Sequence, residues 1–298
     1  MSGEQIVSVA AQTVTYAAPL LFAGLGELFS ERAGVINIGL EGQMLCGAFA
    51  AALVSALTHS PALGLLAAVG GGMAAGALFA LFGVGLRRDQ VIVGTTLNFL
   101  ALGLTGMFYR AWTTGQTNAP VTVPLPRLIG SGASSLNLLT ILAVALVPVA
   151  GWLLFRTRLG VAIRAAGDAP EAAAAAGTAV GRLRVLICLA NGALCGLGGA
   201  ALSIGINSTF TENMTGGLGF IALAVVVFGR WRPGGVLGAA LLFAAADVLQ
   251  SRLQAANALA LPYPVFLALP YFLTLAALAL RGARSRPPSA LGVPFVQG

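Results

Sequence analysis

With 58% hydrophobic and only 8% charged side chains over 298 residues, and a mean hydropathy of +0.92, this chain is not an ordinary soluble domain, where about a quarter of residues are charged. Its formal charge of +7 comes from sixteen arginines against nine acids, and with no lysine there is no phosphate-binding GxxxxGK[ST] loop, so any ATP that drives the protein binds another subunit. Three cysteines in apolar surroundings, one histidine and dispersed acids supply no disulfide framework, metal site, Cys–His pair or paired carboxylates.

In chain order the apolar runs read as membrane spans. The first, residues 6–26, lacks a cationic head and a following cleavage site and is expected to be retained; Pro19 should kink or break it. Glu27, Glu31 and Arg32 follow, then an apolar AGVINIGL stretch too short to cross. A second span ends near Thr58 with Glu41 near its start. The third, residues 62–86, carries Gly70, Gly71, Gly72 and Gly76, which allow close helix approach. The fourth, residues 91–109, holds Gly94, Thr95, Thr96 and Asn98. Residues 110–135, rich in Thr and Pro, form an external loop.

Residues 136–155 and 185–206 are uncharged runs of twenty and twenty-two, each able to cross about 30 Å as helix. Between them, residues 156–184 hold five arginines, which places this loop on the cytoplasmic side. Within it Asp168, Pro170 and Glu171 read as N-cap, first-turn proline and capping-box acid. Gly167 is expected to take a backbone conformation closed to other residues, and Gly177 to stop the helix. A short surface helix able to dock into a partner groove results. Farther on, residues 218–229 are either a tilted short span or a half-helix. Spans over 235–249 and 261–280 precede a cytoplasmic tail, residues 281–298, expected to be mobile.

The fold class expected is all-α: one polytopic transmembrane bundle, residues 1–298, with eight to ten membrane segments and room for broken or re-entrant helices. A nine-crossing count with the N-terminus outside leaves only Arg110, Arg127 and Arg252 of the sixteen arginines external. Polar groups in or beside apolar runs must face protein or water. Neutral amides and hydroxyls such as Asn98 and Thr95 suit an uncharged sugar or nucleoside. These residues point to a polytopic transporter or channel. An ion-coupled carrier, a channel or a structural scaffold is the alternative class.

Three separated stretches carry a resemblance. ERAGVINIGLEG, with Glu31, Arg32, Gly34, Asn37, Gly39, Glu41 and Gly42, is similar to an early signature of the permease subunits of bacterial ABC importers for simple sugars and nucleosides. RAAGDAPEAAAAAG, with Arg164, Gly167, Asp168, Pro170, Glu171, Ala172 and Gly177, resembles that family's ATPase-coupling motif, although many members have Glu where Asp168 stands. TENMTGGLGFIALAVVVFGRWRP, with Thr211, Glu212, Asn213, Gly229, Arg230 and Pro233, resembles its late signature.

The resemblance implies a non-catalytic subunit in a bacterial inner membrane. Its partners would be a homologous second permease, a cytoplasmic ATPase that binds ATP and Mg, and an external substrate-binding lipoprotein, with no cofactor or nucleic acid bound by this chain. The solute would be a nucleoside, or else a simple sugar such as ribose or galactose. Asn37, Thr95, Asn98 and Asn213 are expected to line the path, with Glu41 near its cytoplasmic mouth.

Overall fold

The computed structural model describes residues 3–114, 122–129, 135–255 and 287–295. Among them, seven helices are long and apolar enough to cross a membrane. They are α1 (Gly3–Arg32), α2 (Leu40–Thr58), α3 (Pro61–Phe79, continued by a π-helical turn Ala80–Gly85), α4 (Gln90–Thr113), α5 (Leu138–Arg156), α8 (Val180–Ala200, continued by a π-helical turn Ala201–Ile206) and α10 (Pro233–Ala255). Two short helices, α6 (Arg158–Asp168) and α7 (Pro170–Ala175), fill the arginine loop, and α9 (Leu218–Phe228) precedes α10. The last expected span, residues 261–280, lies outside the described residues. The expectation of eight to ten segments therefore meets seven long helices and one short apolar one.

α8 is the centre of the bundle and packs against α1, α2 and α3. Small residues make this possible: Gly72 and Gly76 of α3 lie against the backbone of α8 at Gly192 and Gly196, and Gly47 of α2 against Gly196, where any Cβ would overlap main chain. Gly71 meets Cys46 and Ala50 of α2, whereas Gly70 faces open space. With lipid tails as apolar as leucine, such close contact is what holds helices together in a bilayer. α1 runs through Pro19 as one helix without the expected break. Its buried face carries Leu21, Phe22, Leu25 and Leu28 into the main core.

Two segments leave regular structure inside this frame. Residues 33–39 join α1 to α2 as irregular backbone that is largely buried. Residues 207–217 lead into α9, whose eleven residues reach only about 16 Å, half a hydrocarbon core. At that length α9 is a short apolar piece of the bundle, not one of its long helices.

The connection between α4 and α5 adds a feature the sequence did not announce, a two-stranded antiparallel ladder of β1 (Arg127–Ile129) and β2 (Leu136–Asn137). Ahead of it the chain is pinned to the end of α8, Thr122 N donating to Ser208 O at 3.2 Å and Leu125 N to Ile204 O at 3.0 Å. Arg252 Nη2 donates to Ser8 Oγ (2.9 Å) and Gln12 Oε1 (3.0 Å) near the start of α1, while Arg32 and Arg184 lie near its other end, on Trp231 O and Ala33 O.

Candidate functional site

The three stretches singled out by motif converge on one junction. Two clamps join the early stretch to the late one. In the first, Glu41, in the opening turn of α2, accepts Gly217 N on Oε1 (2.8 Å) and Gly219 N on Oε2 (2.7 Å). The free N–H groups at the start of α9 and its positive dipole end are thereby met by a carboxylate, a pairing each helix N-terminus favours. In the second, at the other end of α9, Glu31 accepts the indole N–H of Trp231, and Arg32 donates Nε (3.0 Å) and Nη2 (2.6 Å) to Trp231 O. Trp231 and Arg230 both lie in the left-handed region, at φ 52° and 55°, unusual for bulky side chains. The Glu31–Arg32 pair holds Trp231 there by its indole N–H and its carbonyl. Gly229 packs against Gly235 where a side chain would overlap main chain, and Pro233 opens α10, so the α9–α10 corner is tight.

The unwound residues 33–39 are tied down by surrounding side chains. Asn37 N donates to Glu27 Oε1 (2.9 Å), Asn37 Oδ1 accepts Gly39 N (3.0 Å) and Asn37 Nδ2 donates to Gln43 Oε1 (3.1 Å). Ile36 N donates to Gln90 Oε1 (2.8 Å). Asn98 of α4 bridges the segment to α2, its Nδ2 donating to Ile38 O (2.9 Å) and its Oδ1 accepting Gly42 N (2.8 Å) in the first turn of α2. Glu27 and Asn191 complete a buried network: Asn191 Nδ2 reaches Glu27 Oε2 and Ser30 Oγ, each at 2.9 Å. Unpaired peptide groups are costly away from water, and here side chains from α1, α2 and α4 supply the missing partners.

The residues expected along the solute path take up different places. Asn37 is fully buried, its amide bonded to Gly39 N and Gln43. Glu41 is nearly buried and caps α9. Asn98 is spent on the segment beside it, while Thr95 is exposed one turn earlier, its hydroxyl on Val91 O (2.8 Å). Asn213 is exposed and left-handed (φ 57°), next to Glu212, which pairs with Arg110 through two 2.8 Å contacts. Arg110 stands twelve residues beyond Asn98, about 18 Å along α4. The arrangement brings Asn37, Glu41 and Asn98 together and leaves Asn213 toward the Arg110 end of α4. Arg110 hydrogen bonding and charge hold the Glu212 carboxyl below the usual carboxylate range.

The middle stretch is the arm of the junction. α6 starts from a Thr157 cap (Gly160 N to Oγ1, 3.1 Å) and runs on to Asp168, so Asp168 ends α6 rather than capping the next helix. α7 instead starts from Ala169, which has no side-chain cap, with Pro170 in its first turn as expected; Glu171 makes no capping box. Gly177 does stop α7: at φ 88° it allows Gly177 N to reach Ala174 O and Thr178 N to reach Ala173 O, each at 2.9 Å. Gly167 is not the expected left-handed hinge. It is helical and buried, and glycine is required because Arg32 O and Gly34 N lie where a side chain would be. Arg164 folds back with its guanidinium 5.3 Å from the Phe155 ring, bracing α6 against α5. Asp168, Glu171, Ala172 and Gly177 remain exposed on the arm.

Motif reading missed Arg184, Glu27, Gln90 and Trp231. Arg184 is 2% exposed and donates to Ala33 O (2.9 Å), Ala166 O (3.2 Å) and Val293 O (2.9 Å). Its place inside the arginine-rich loop hid it among cations that signal only sidedness. Among the described residues, no cluster of His, Cys, Asp or Glu could hold a metal ion.

A helical multi-pass bundle with irregular backbone buried between a short helix and its clamps has the build of a membrane transport protein. Residues 9–278 match the family described as branched-chain amino acid transport system, permease component, and the chain belongs to that family of ABC transporter permeases. It is 39% identical to the guanosine ABC transporter permease protein NupQ of Bacillus subtilis, covering 99% of this chain and 98% of that one. It is 41% identical to the putative glucose ABC transporter permease protein TsgC13 of Haloferax volcanii (81% and 76%), and 32% identical to the nucleoside ABC transporter permease protein NupC of Lactococcus lactis (97% and 96%). Bacillus subtilis and Lactococcus lactis each hold a second similar permease, NupP and NupB. No solved structure matches the chain.

Proposed function

We propose that this permease carries nucleosides into a bacterial cell across the inner membrane, as one half of a core completed by a homologous second permease. The observation that carries the reading is the end-to-end similarity to a guanosine permease, which covers the clamped junction and the arm alike. ATP and Mg are bound by a separate cytoplasmic ATPase, since this chain has no lysine for a phosphate loop, and an external binding lipoprotein delivers the solute. The two-chain core is supported by the occurrence of paired permeases among the relatives.

In this reading α6 and α7 form the coupling arm. Asp168, Pro170, Glu171, Ala172 and Gly177 meet the ATPase, while Arg164 and Gly167 hold the arm to α5 and to the end of α1. Solute passes along the exposed face of α4 and residues 211–217, where Thr95 and Asn213 can touch it; Asn37, Glu41 and Asn98 support that wall from behind. A permease fed by a tight external binder does best to hold its cargo loosely, and a few neutral groups achieve this without burying charge. A simple sugar is the second reading, favoured by the identity with the glucose permease TsgC13.

Reconstitution with the partner subunits tests the assignment. Labelled guanosine is expected to accumulate only with ATP, with other nucleosides competing. Strong competition by ribose or galactose without guanosine transport would move the protein to sugars. Ion-driven accumulation by this chain alone would remove it from ATP-driven import.

A further inference from the structure

Residues 287–295, expected as part of a mobile tail, are docked instead. Ala290 N donates to Gly167 O (2.9 Å) in the arm, and two residues later Gly292 N donates to Gly34 O (3.0 Å) in the unwound segment. Pro288 is buried, and Phe295 joins Ala166, Ala173 and Val180 in a small apolar cluster beneath α6, α7 and the start of α8. Arg184 stands at the centre, sharing its guanidinium among the tail (Val293 O), the last turn of α6 (Ala166 O) and the carbonyl just past α1 (Ala33 O).

The charge of Arg184 has an electrostatic reason to be there. Carbonyls at a helix C-terminus lack intrahelical partners and carry partial negative charge, so one planar guanidinium satisfies two helix ends and a strand of tail together. Gly167 and Gly34 are already in backbone contact, and the tail hydrogen-bonds to both. Removing it frees two carbonyls and leaves Arg184 one acceptor short.

We infer that residues 287–295 are a clasp, with Arg184 as its positioning residue, which carries displacement of the α6–α7 arm to the unwound residues 33–39. This rests on the coupling role proposed for the arm. A rigid connection is needed because hinged segments absorb motion rather than pass it on. Through residues 33–39 the movement reaches both clamps, since Glu31, Arg32 and Glu41 flank that segment and grip the two ends of α9.

The test compares the intact chain with one ending at residue 286, each reconstituted with its ATPase and partner permease. Labelled guanosine uptake and ATP hydrolysis are read together with ATPase retention and amide hydrogen exchange. The truncated chain is expected to retain the ATPase and hydrolyse ATP while uptake per ATP falls about tenfold, a typical size for coupling between sites. Exchange at residues 33–39 and 158–177 should rise together. Gly292→Val is the second variant, for a truncated chain that fails to accumulate: Gly292 sits at φ 75°, so valine loosens the clasp alone and should uncouple in the same way. Arg184→Lys should recover part of the loss in Arg184→Gln. Unchanged uptake per ATP in both tail variants, or a loss that merely follows lost protein, would overturn the inference. Failure of the intact assembly to move guanosine with ATP would instead count against the functional reading, and the exchange measurement would still judge the clasp.

Discussion

α4 makes a long-range contact near each of its ends, and the two are built differently. Toward its start Asn98 is half-buried and bonded to two peptide groups, Ile38 O of the unwound segment and Gly42 N in the first turn of α2. Near its other end Arg110 pairs with Glu212 through two 2.8 Å contacts, with side chains 75% and 39% exposed. Water can replace the exposed pair at little loss, whereas Gly42 N and Ile38 O depend on the Asn98 amide. The buried end specifies a structure; the exposed end contributes attraction that salt screens.

The strongest way to break this contrast is Gly167→Leu. Main chain of Arg32 and Gly34 occupies the space the side chain needs, so arm and α1 must separate. Overpacking of this kind costs about 1–3 kcal/mol, and the arm cannot keep its orientation. ATPase retention and guanosine uptake should both be lost with membrane insertion unchanged; wild-type values for both would show that the arm position is not used.

Asn98→Ala comes next. It leaves one donor and one acceptor without a partner, at about 1–3 kcal/mol, and should lower the melting temperature of the purified protein. Asn98→Asp should not restore it, because a carboxylate meets Ile38 O without a donor. Unchanged melting with selective loss of guanosine uptake would instead put Asn98 on the solute path.

The smallest effect belongs to Arg110→Ala, which should barely change melting at neutral pH. Glu212 has its folded-state pKa depressed by Arg110, so the stability this pair contributes is present above the unfolded carboxylate pKa and is lost as pH falls through the folded value. Melting curves of wild type and Arg110→Ala should therefore converge on acidification. A gap that widens in acid would show that another group carries the dependence.

Much of the frame was legible because hydrocarbon allows few solutions. Uncharged runs of twenty or more residues read as helices across the bilayer, and long helices cover them. Cap chemistry was less readable: the Asp168–Glu171 pattern is a good local signal, but α6 runs through Asp168, so the acid never reaches the capping position. The tail misled for a related reason. Pro287 and Pro288 look like an unstructured end, yet Pro288 is buried once Gly167 and Gly34 present their carbonyls.

Composition and run length thus decide that the chain is a helical membrane protein, because these follow from burial in lipid residue by residue. Which polar side chain answers which peptide group was decided only by folding. Glu41 meets α9 from 176 residues away, Trp231 meets Glu31 across 200, and Arg184 reaches Ala33 across 151. No local pattern encodes such pairings; they exist because the packed bundle brings unmet backbone groups and polar side chains together where water cannot serve either.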